Sequence, residues 1–176
     1  ENGELFDENK ESYIYLGESY IDYTTEGLNI RLGRQQIDTP LADTDDIRMH
    51  PNTFEALIAT YTGLEGTTLI GGYATRWAGY DSGDAKSTYK RFDADSTDTS
   101  KGVVVLGAIN ESVENLAVQG WYYDVDEVTK AFYADAAYAI PMGESMGLEL
   151  SAQYATFSEV NANGIDGNVY GIGAAL

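Results

Sequence analysis

Polar and apolar residues alternate along this chain with a period of two, and helical spacing of apolar residues is nearly absent. The clearest run places Leu148, Leu150, Ala152 and Tyr154 on one side of an extended strand and Glu149, Ser151 and Gln153 on the other. Likewise Leu28, Ile30 and Leu32 oppose Asn29, Arg31 and Gly33, and Phe132, Ala134, Ala136 and Tyr138 oppose Tyr133 and Asp135. The strand template is met by about nine segments, at 13–23, 28–35, 54–62, 67–77, 103–110, 116–124, 129–140, 148–157 and 168–176. Most are about nine to eleven residues long, the span of a tilted strand crossing a bilayer. Strands of soluble domains run nearer about five or six.

The connections alternate as well. Those after the odd segments are short (24–27, 63–66, 111–115 and 141–147), whereas those after the even segments are long and polar (36–53, 78–102 and 158–167), with 125–128 as the short exception. A membrane barrel with tight periplasmic turns and large external loops predicts this asymmetry. A β-sandwich does not require it. Tyr13, Tyr15, Tyr23, Tyr61, Trp77, Tyr122, Tyr138, Tyr154 and Phe157 lie mostly toward segment ends, where interfacial aromatic girdles would put them. A soluble β protein would instead gather them in a core.

Composition narrows the classes. The 176 residues include 14 Tyr and 19 Gly but only 3 Pro, the usage of pleated structure. There is no Cys, which removes disulfides, thiol catalysis and thiolate metal sites, and suits passage through an oxidising periplasm. The 29 acidic and 10 basic residues give a net charge of −19, which excludes nucleic acid as a partner. An acidic pore or mouth would concentrate cations and repel anions. No stretch approaches the roughly 20 apolar residues of a transmembrane helix. Glu1-Asn2-Gly3-Glu4 is acidic and lacks the apolar core of a signal peptide; without an initiator Met, Glu1 reads as a processed end or a cut edge. An odd strand count, ending within an alternating segment, leaves edges that a bilayer does not tolerate. The expectation is that 1–176 is a single β-barrel segment with strands missing at both ends.

Residues 32–81 are the most informative. They carry Gly33-Arg34-Gln35, Thr39-Pro40, Arg48 and Pro51-Asn52-Thr53-Phe54, followed by Leu69-Ile70-Gly71-Gly72. This stretch resembles the OprD-like outer-membrane porin family, including related major outer-membrane proteins of epsilon-class proteobacteria. Elsewhere the resemblance is architectural. It implies a barrel of about 16 to 18 strands, often assembled as a homotrimer, in which inward-folded loops narrow the pore. It also implies passive passage of small solutes, in several members carboxylates drawn along a basic ladder. This chain departs from that ladder. Arg31 and Arg76 stand at presumed lumen positions beside Glu18, Glu55, Asp135, Glu149 and Gln153, a balance that favours cations.

Other chemistry is sparse. Asp43, Asp45 and Asp46 form an acidic cluster that a hard cation such as calcium could use. Asp93 with Asp95, and Asp124, Asp126 and Glu127, form two more, although solvated loop charge accounts for all three more simply. The EF-hand template fails at Asp93, with Asp98 at the glycine place and Val104 at the glutamate place. His50 is the single histidine, beside Pro51 and without a nucleophile elbow, so it reads as a loop residue. Gly171-Ile172-Gly173 lacks the third glycine and the helix of a dinucleotide fingerprint. The loop 36–53 is the pore candidate. If it folds inward, Asp38, Asp43, Asp45, Asp46 and Arg48 set opposite charges across a narrowing, together with Arg31, Arg34, Glu55 and Arg76 on the walls.

The fold expected is therefore all-β, an antiparallel transmembrane β-barrel segment in a Gram-negative outer membrane, surrounded by lipid and lipopolysaccharide. The function expected is passive diffusion of small hydrophilic solutes and ions, with no cofactor and no covalent step. Two alternatives are a small eight-stranded structural or adhesive barrel and a secreted, soluble β-sandwich binding module. Small inward residues such as Ala131 and Ala137 leave more room than a filled eight-stranded barrel wants.

Overall fold

The structure, a computed structural model, describes residues 14–44, 51–82, 88–92, 99–143, 146–160 and 166–176. Tyr13, Asp45, Asp46, Arg48, His50 and the acidic run at 93–98 lie outside the described residues. Nine strands form one antiparallel sheet: β1 (Ser19–Thr25), β2 (Leu28–Gln35), β3 (Thr53–Leu64), β4 (Thr67–Ala78), β5 (Val103–Val113), β6 (Leu116–Val125), β7 (Thr129–Pro141), β8 (Gly147–Glu159) and β9 (Gly167–Ala175). Each strand pairs with its neighbours in sequence, and β1 and β9 are the two edges.

All nine expected segments are strands, with shifted ends. β1 starts at Ser19 rather than near residue 13, because β2 ends at Gln35 and Ser19 is the last β1 residue with a partner, Arg34. β7 and β8 reach 13 residues each, longer than their apolar alternation alone suggests, since their hairpin stays paired out to Pro141 and Gly147. The tight connections close as their residues dictate. Gly66 (φ 61°) and Asn115 (φ 64°) supply the left-handed backbone that a hairpin turn requires. A Cβ at Gly66 would also stand 2.6 Å from the Ser112 Cα, so the position is closed to side chains.

Register separates the two faces. Ile21, Leu32, Leu57, Tyr73 and Val104 lie in one paired row, and Leu106, Tyr122 and Phe132 in another. These side chains, with Leu150, Tyr154 and Ile172, stand exposed on the same face. Such a continuous apolar surface belongs against lipid. A charge in its middle would destabilise the sheet by about 2–4 kcal/mol. The opposite face carries Asp22, Arg31, Ile58, Gly72, Val105, Tyr123, Ala131 and Phe157 in register. Trp121, Tyr123, Val105 and Ala131 form a buried cluster there, partly because residues from the β2–β3 connection cover it.

The aromatics divide between the faces. Tyr23, Tyr61 and Tyr138 stand outward near the short-turn end, while Tyr73, Tyr122 and Tyr154 stand outward farther along, as two girdles would. Trp77 and Phe157 do not belong to a girdle. Both point inward, and Trp77 stacks with Phe54 (6.1 Å) and Phe92 (5.8 Å).

Candidate functional site

The inward face is polar toward the short turns and apolar toward the long connections. On β1 and β2, pairing sets Asp22 opposite Arg31, and Arg31 Nε donates to Asp22 Oδ2 at 2.8 Å. Asn29 and Thr24 donate to the other Asp22 oxygen at 2.6 and 3.1 Å. The Arg31 guanidinium also lies 4.3 Å from the centroid of the Tyr20 ring. Its charge is therefore matched locally, and Arg31 is no rung of a free basic ladder.

On β6, β7 and β8 the cross-strand pairs Gln119–Asp135 and Asp135–Gln153 make a second polar strip. Gln119 Nε2 donates to Asp135 Oδ2 at 2.6 Å, while its Oε1 accepts from the Trp121 indole at 2.7 Å. The Tyr133 hydroxyl donates to Gln153 Oε1 at 3.2 Å. One amide, itself oriented by the Trp121 ring N–H, thus holds the Asp135 carboxylate against the wall, with no cation paired to it among the described residues.

The connection after β2 folds over this inward face. Thr39 and Ala42 form a two-way backbone bridge, and the Thr44 N–H donates to Asp38 Oδ1 at 2.9 Å. Ile37, Pro40 and Leu41 cap a cavity of about 530 Å³ whose walls come from β3 through β8. Asp43 lines the same cavity, whereas the Asp38 carboxylate is used in closing the loop. The Tyr123 hydroxyl is buried beside Thr39 and Leu41, without hydrogen-bond geometry to either.

Asn52 clamps the loop. It is 1 % exposed; its Nδ2 donates to Asp81 Oδ2 (2.7 Å) and the Asp43 carbonyl (3.3 Å), and its Oδ1 accepts from the Asp81 N–H (3.3 Å). Its own N–H donates to the Thr44 carbonyl at 2.7 Å. Gly79 (φ 136°) passes so close that a Cβ would stand 2.3 Å from Asn52 Oδ1. Gln35 plays a similar part on β2, donating to the Ala56 carbonyl at 3.0 Å.

Arg34, Glu55 and Arg76 are not on this wall. Pairing places Arg34 opposite Glu55 and Glu55 opposite Arg76, on the outward face above Leu32, Leu57 and Tyr73. Arg34 engages Glu55 Oε1 through Nε (3.0 Å) and Nη2 (2.9 Å). The lumen position expected for Glu55 and Arg76 therefore gives way to an outward one. Of the remaining candidates, Arg31 and Asp135 face inward, Asp38 and Asp43 belong to the inward-folded loop, and Asp45, Asp46 and Arg48 fall outside the described residues. The calcium reading of Asp43, Asp45 and Asp46 shares that limit; among the described residues no three acidic or histidine side chains converge. Gln119, Trp121, Asp22 and Asn52 were not picked out by sequence reasoning. The cross-strand partners of Asp135 and Arg31 identify Gln119 and Asp22, Trp121 follows as the donor to Gln119, and only tertiary contact identifies Asn52.

The family model for outer membrane porins of the OprD family matches residues 24–173. No curated protein matches the chain. Among solved structures, Pseudomonas aeruginosa OpdK with vanillate is similar at 18% identity and TM-score 0.76, covering 100% of this chain and 50% of that one. OccD3 (OpdP) from the same organism aligns at 16% identity and TM-score 0.72, over 85% of this chain and 36% of that one. OccK8 (OprE), also from Pseudomonas aeruginosa, aligns at 20% identity and TM-score 0.69, over 80% and 36%. The chain thus spans between about a third and half the length of these relatives.

Proposed function

Because this chain belongs to the OprD family of outer membrane porins, we propose that it forms part of the wall of a passive channel for small hydrophilic solutes, with a preference for cations. Its place is the bacterial outer membrane, and its fold is that of an outer-membrane β-barrel. Strands beyond β1 and β9 close the barrel in this reading, since an open sheet edge in hydrocarbon leaves backbone groups unpaired.

The observation that carries the cation preference is the imbalance on the inward wall. Arg31 is paired with Asp22 at 2.8 Å, whereas Asp135 is held by the Gln119 amide at 2.6 Å with no cation beside it among the described residues. A solute passing this wall meets net negative potential, which raises local cation concentration and opposes anions. The loop that carries Ile37, Pro40 and Leu41 narrows the lumen from the long-connection side and adds Asp43 to it. Passage requires no covalent step: the wall filters by size and by charge.

The test is single-channel conductance of the complete porin in a planar bilayer under a salt gradient. Steady conductance with a cation-favouring reversal potential supports this reading. An anion-favouring potential overturns the preference while leaving the channel, and absence of conductance from folded protein overturns both.

A further inference from the structure

The cavity beneath the β2–β3 loop is built unlike the polar strips beside it. Phe54, Trp77 and Phe92 all line it, with interplanar angles of 11°, 4° and 9° and centroid separations of 6.1, 6.4 and 5.8 Å. Three nearly equal separations describe a triangle rather than a column, so the rings form one broad aromatic platform. The strands and their connection set it in place. Phe54 is paired with Trp77 across β3 and β4, and the two-way bridge between Trp77 and Lys90 brings the β4–β5 connection back so that Phe92 joins them. Ile37, Leu41, Ile58 and Val105 continue the apolar lining.

The polar groups in this lining are few, and their charge has one sign. Asp43 and Asp81 are both present, each tied to Asn52, and among the described residues no cation is paired with either. No Lys, Arg or His lines the cavity among those residues. Tyr123, only 4% exposed, brings its hydroxyl into the same lining without a hydrogen-bond partner. A desolvated phenol oxygen left in that state is relieved by a ligand that carries an N–H donor. The volume of about 530 Å³ suits a small organic molecule. An anion would meet carboxylates with no base to offset them, and a hydrated metal ion would leave the aromatic platform unused. An organic ammonium ion with an apolar body uses both features. We propose that this cavity binds small organic ammonium ions that carry an aromatic body. The body lies on the Phe54–Trp77–Phe92 platform, while the ammonium is held by Asp43 and donates to the Tyr123 hydroxyl. The assignment rests on the reading of this chain as channel wall, which brings solute to the loop.

The complete porin in non-ionic detergent is tested by equilibrium dialysis against labelled phenethylamine, phenylacetate and ethylamine, with detergent micelles alone as background. Phenethylamine, protonated at neutral pH, binds about tenfold more tightly than phenylacetate, which reverses the charge, and than ethylamine, which lacks the ring. Asp43→Asn weakens phenethylamine binding about tenfold, the size of one charge-assisted hydrogen bond. Tyr123→Phe keeps the ring and weakens it about fivefold, the size of a neutral one. Glu65→Gln, in the short turn between β3 and β4 at the far end of those strands, leaves binding unchanged. Folding of each variant is read from heat-dependent gel mobility; should Asp43→Asn not fold, Tyr123→Phe and the three probes on wild-type protein decide. Phenylacetate or ethylamine bound as tightly as phenethylamine, or unchanged binding in either folded variant, overturns the proposal. The salt-gradient potential reads the cation preference separately. A cation-favouring potential with no phenethylamine bound removes this site alone, and an anion-favouring potential with phenethylamine bound removes the preference alone.

Discussion

Arg34 and Glu55 meet at 2.9 Å on the outward face of the sheet, while Arg31, on the same strand as Arg34, points to the lumen. Glu55→Gln therefore leaves ion selectivity unchanged. The half-buried pair contributes about 1 kcal/mol, so the variant loses its heat-resistant gel mobility at a lower temperature. A changed reversal potential in Glu55→Gln would place the pair on the conduction path instead.

Asp135→Asn acts on the opposite face. One charge about 10 Å from an ion in water is worth about 0.4 kcal/mol, close to a factor of two in permeability. The cation-to-anion permeability ratio of the complete channel falls by about that factor, read as a shift in zero-current potential. Gln119 still hydrogen-bonds the side-chain oxygen of an asparagine at that position, so the fold is kept.

Asn52→Ala removes the clamp between the loop after β2 and the 3-10 turn at Tyr80–Ser82. Losing a buried, fully used amide destabilises the loop by about 2 kcal/mol. The expected results are faster proteolysis between β2 and β3 and a larger single-channel conductance. Unchanged conductance would show that this loop does not limit flow.

Tyr89 lies outside the strands, and burial pushes its hydroxyl above the ordinary tyrosine range, although Thr53 and Arg34 pull the other way. A phenol with a raised folded value contributes stability that is complete below the unfolded value of about 10 and is lost as pH rises through the folded one. Absorbance titration of wild type against Tyr89→Phe should show one tyrosine ionising late. In the variant, stability should no longer fall with that step.

The strands are legible because period-two alternation holds over long runs between the register shifts, and long loops after even strands orient the sheet. Charges near the rim were harder. Tyr73 points outward, but a register shift between β3 and β4 makes Thr75 an extra residue, so Arg76 falls outward and Trp77 inward. Counting by twos from Tyr73 inverts both. Glu55 failed for another reason. Its neighbours Phe54 and Leu57 are apolar on opposite faces, so β3 carries too little contrast near its start to say which face is wet. Asn52 could not be read from sequence, because its partners Asp43 and Asp81 come together only through the loop fold.

Every strand pairs with its immediate neighbours in sequence. Contact order within the wall is therefore low, and each hairpin can form before the next is complete. Assembly can advance strand by strand from either edge without the chain crossing itself. The slowest closures are then the two longest connections, after β2 and after β4, which carry the loop and the Tyr89 segment at the same rim.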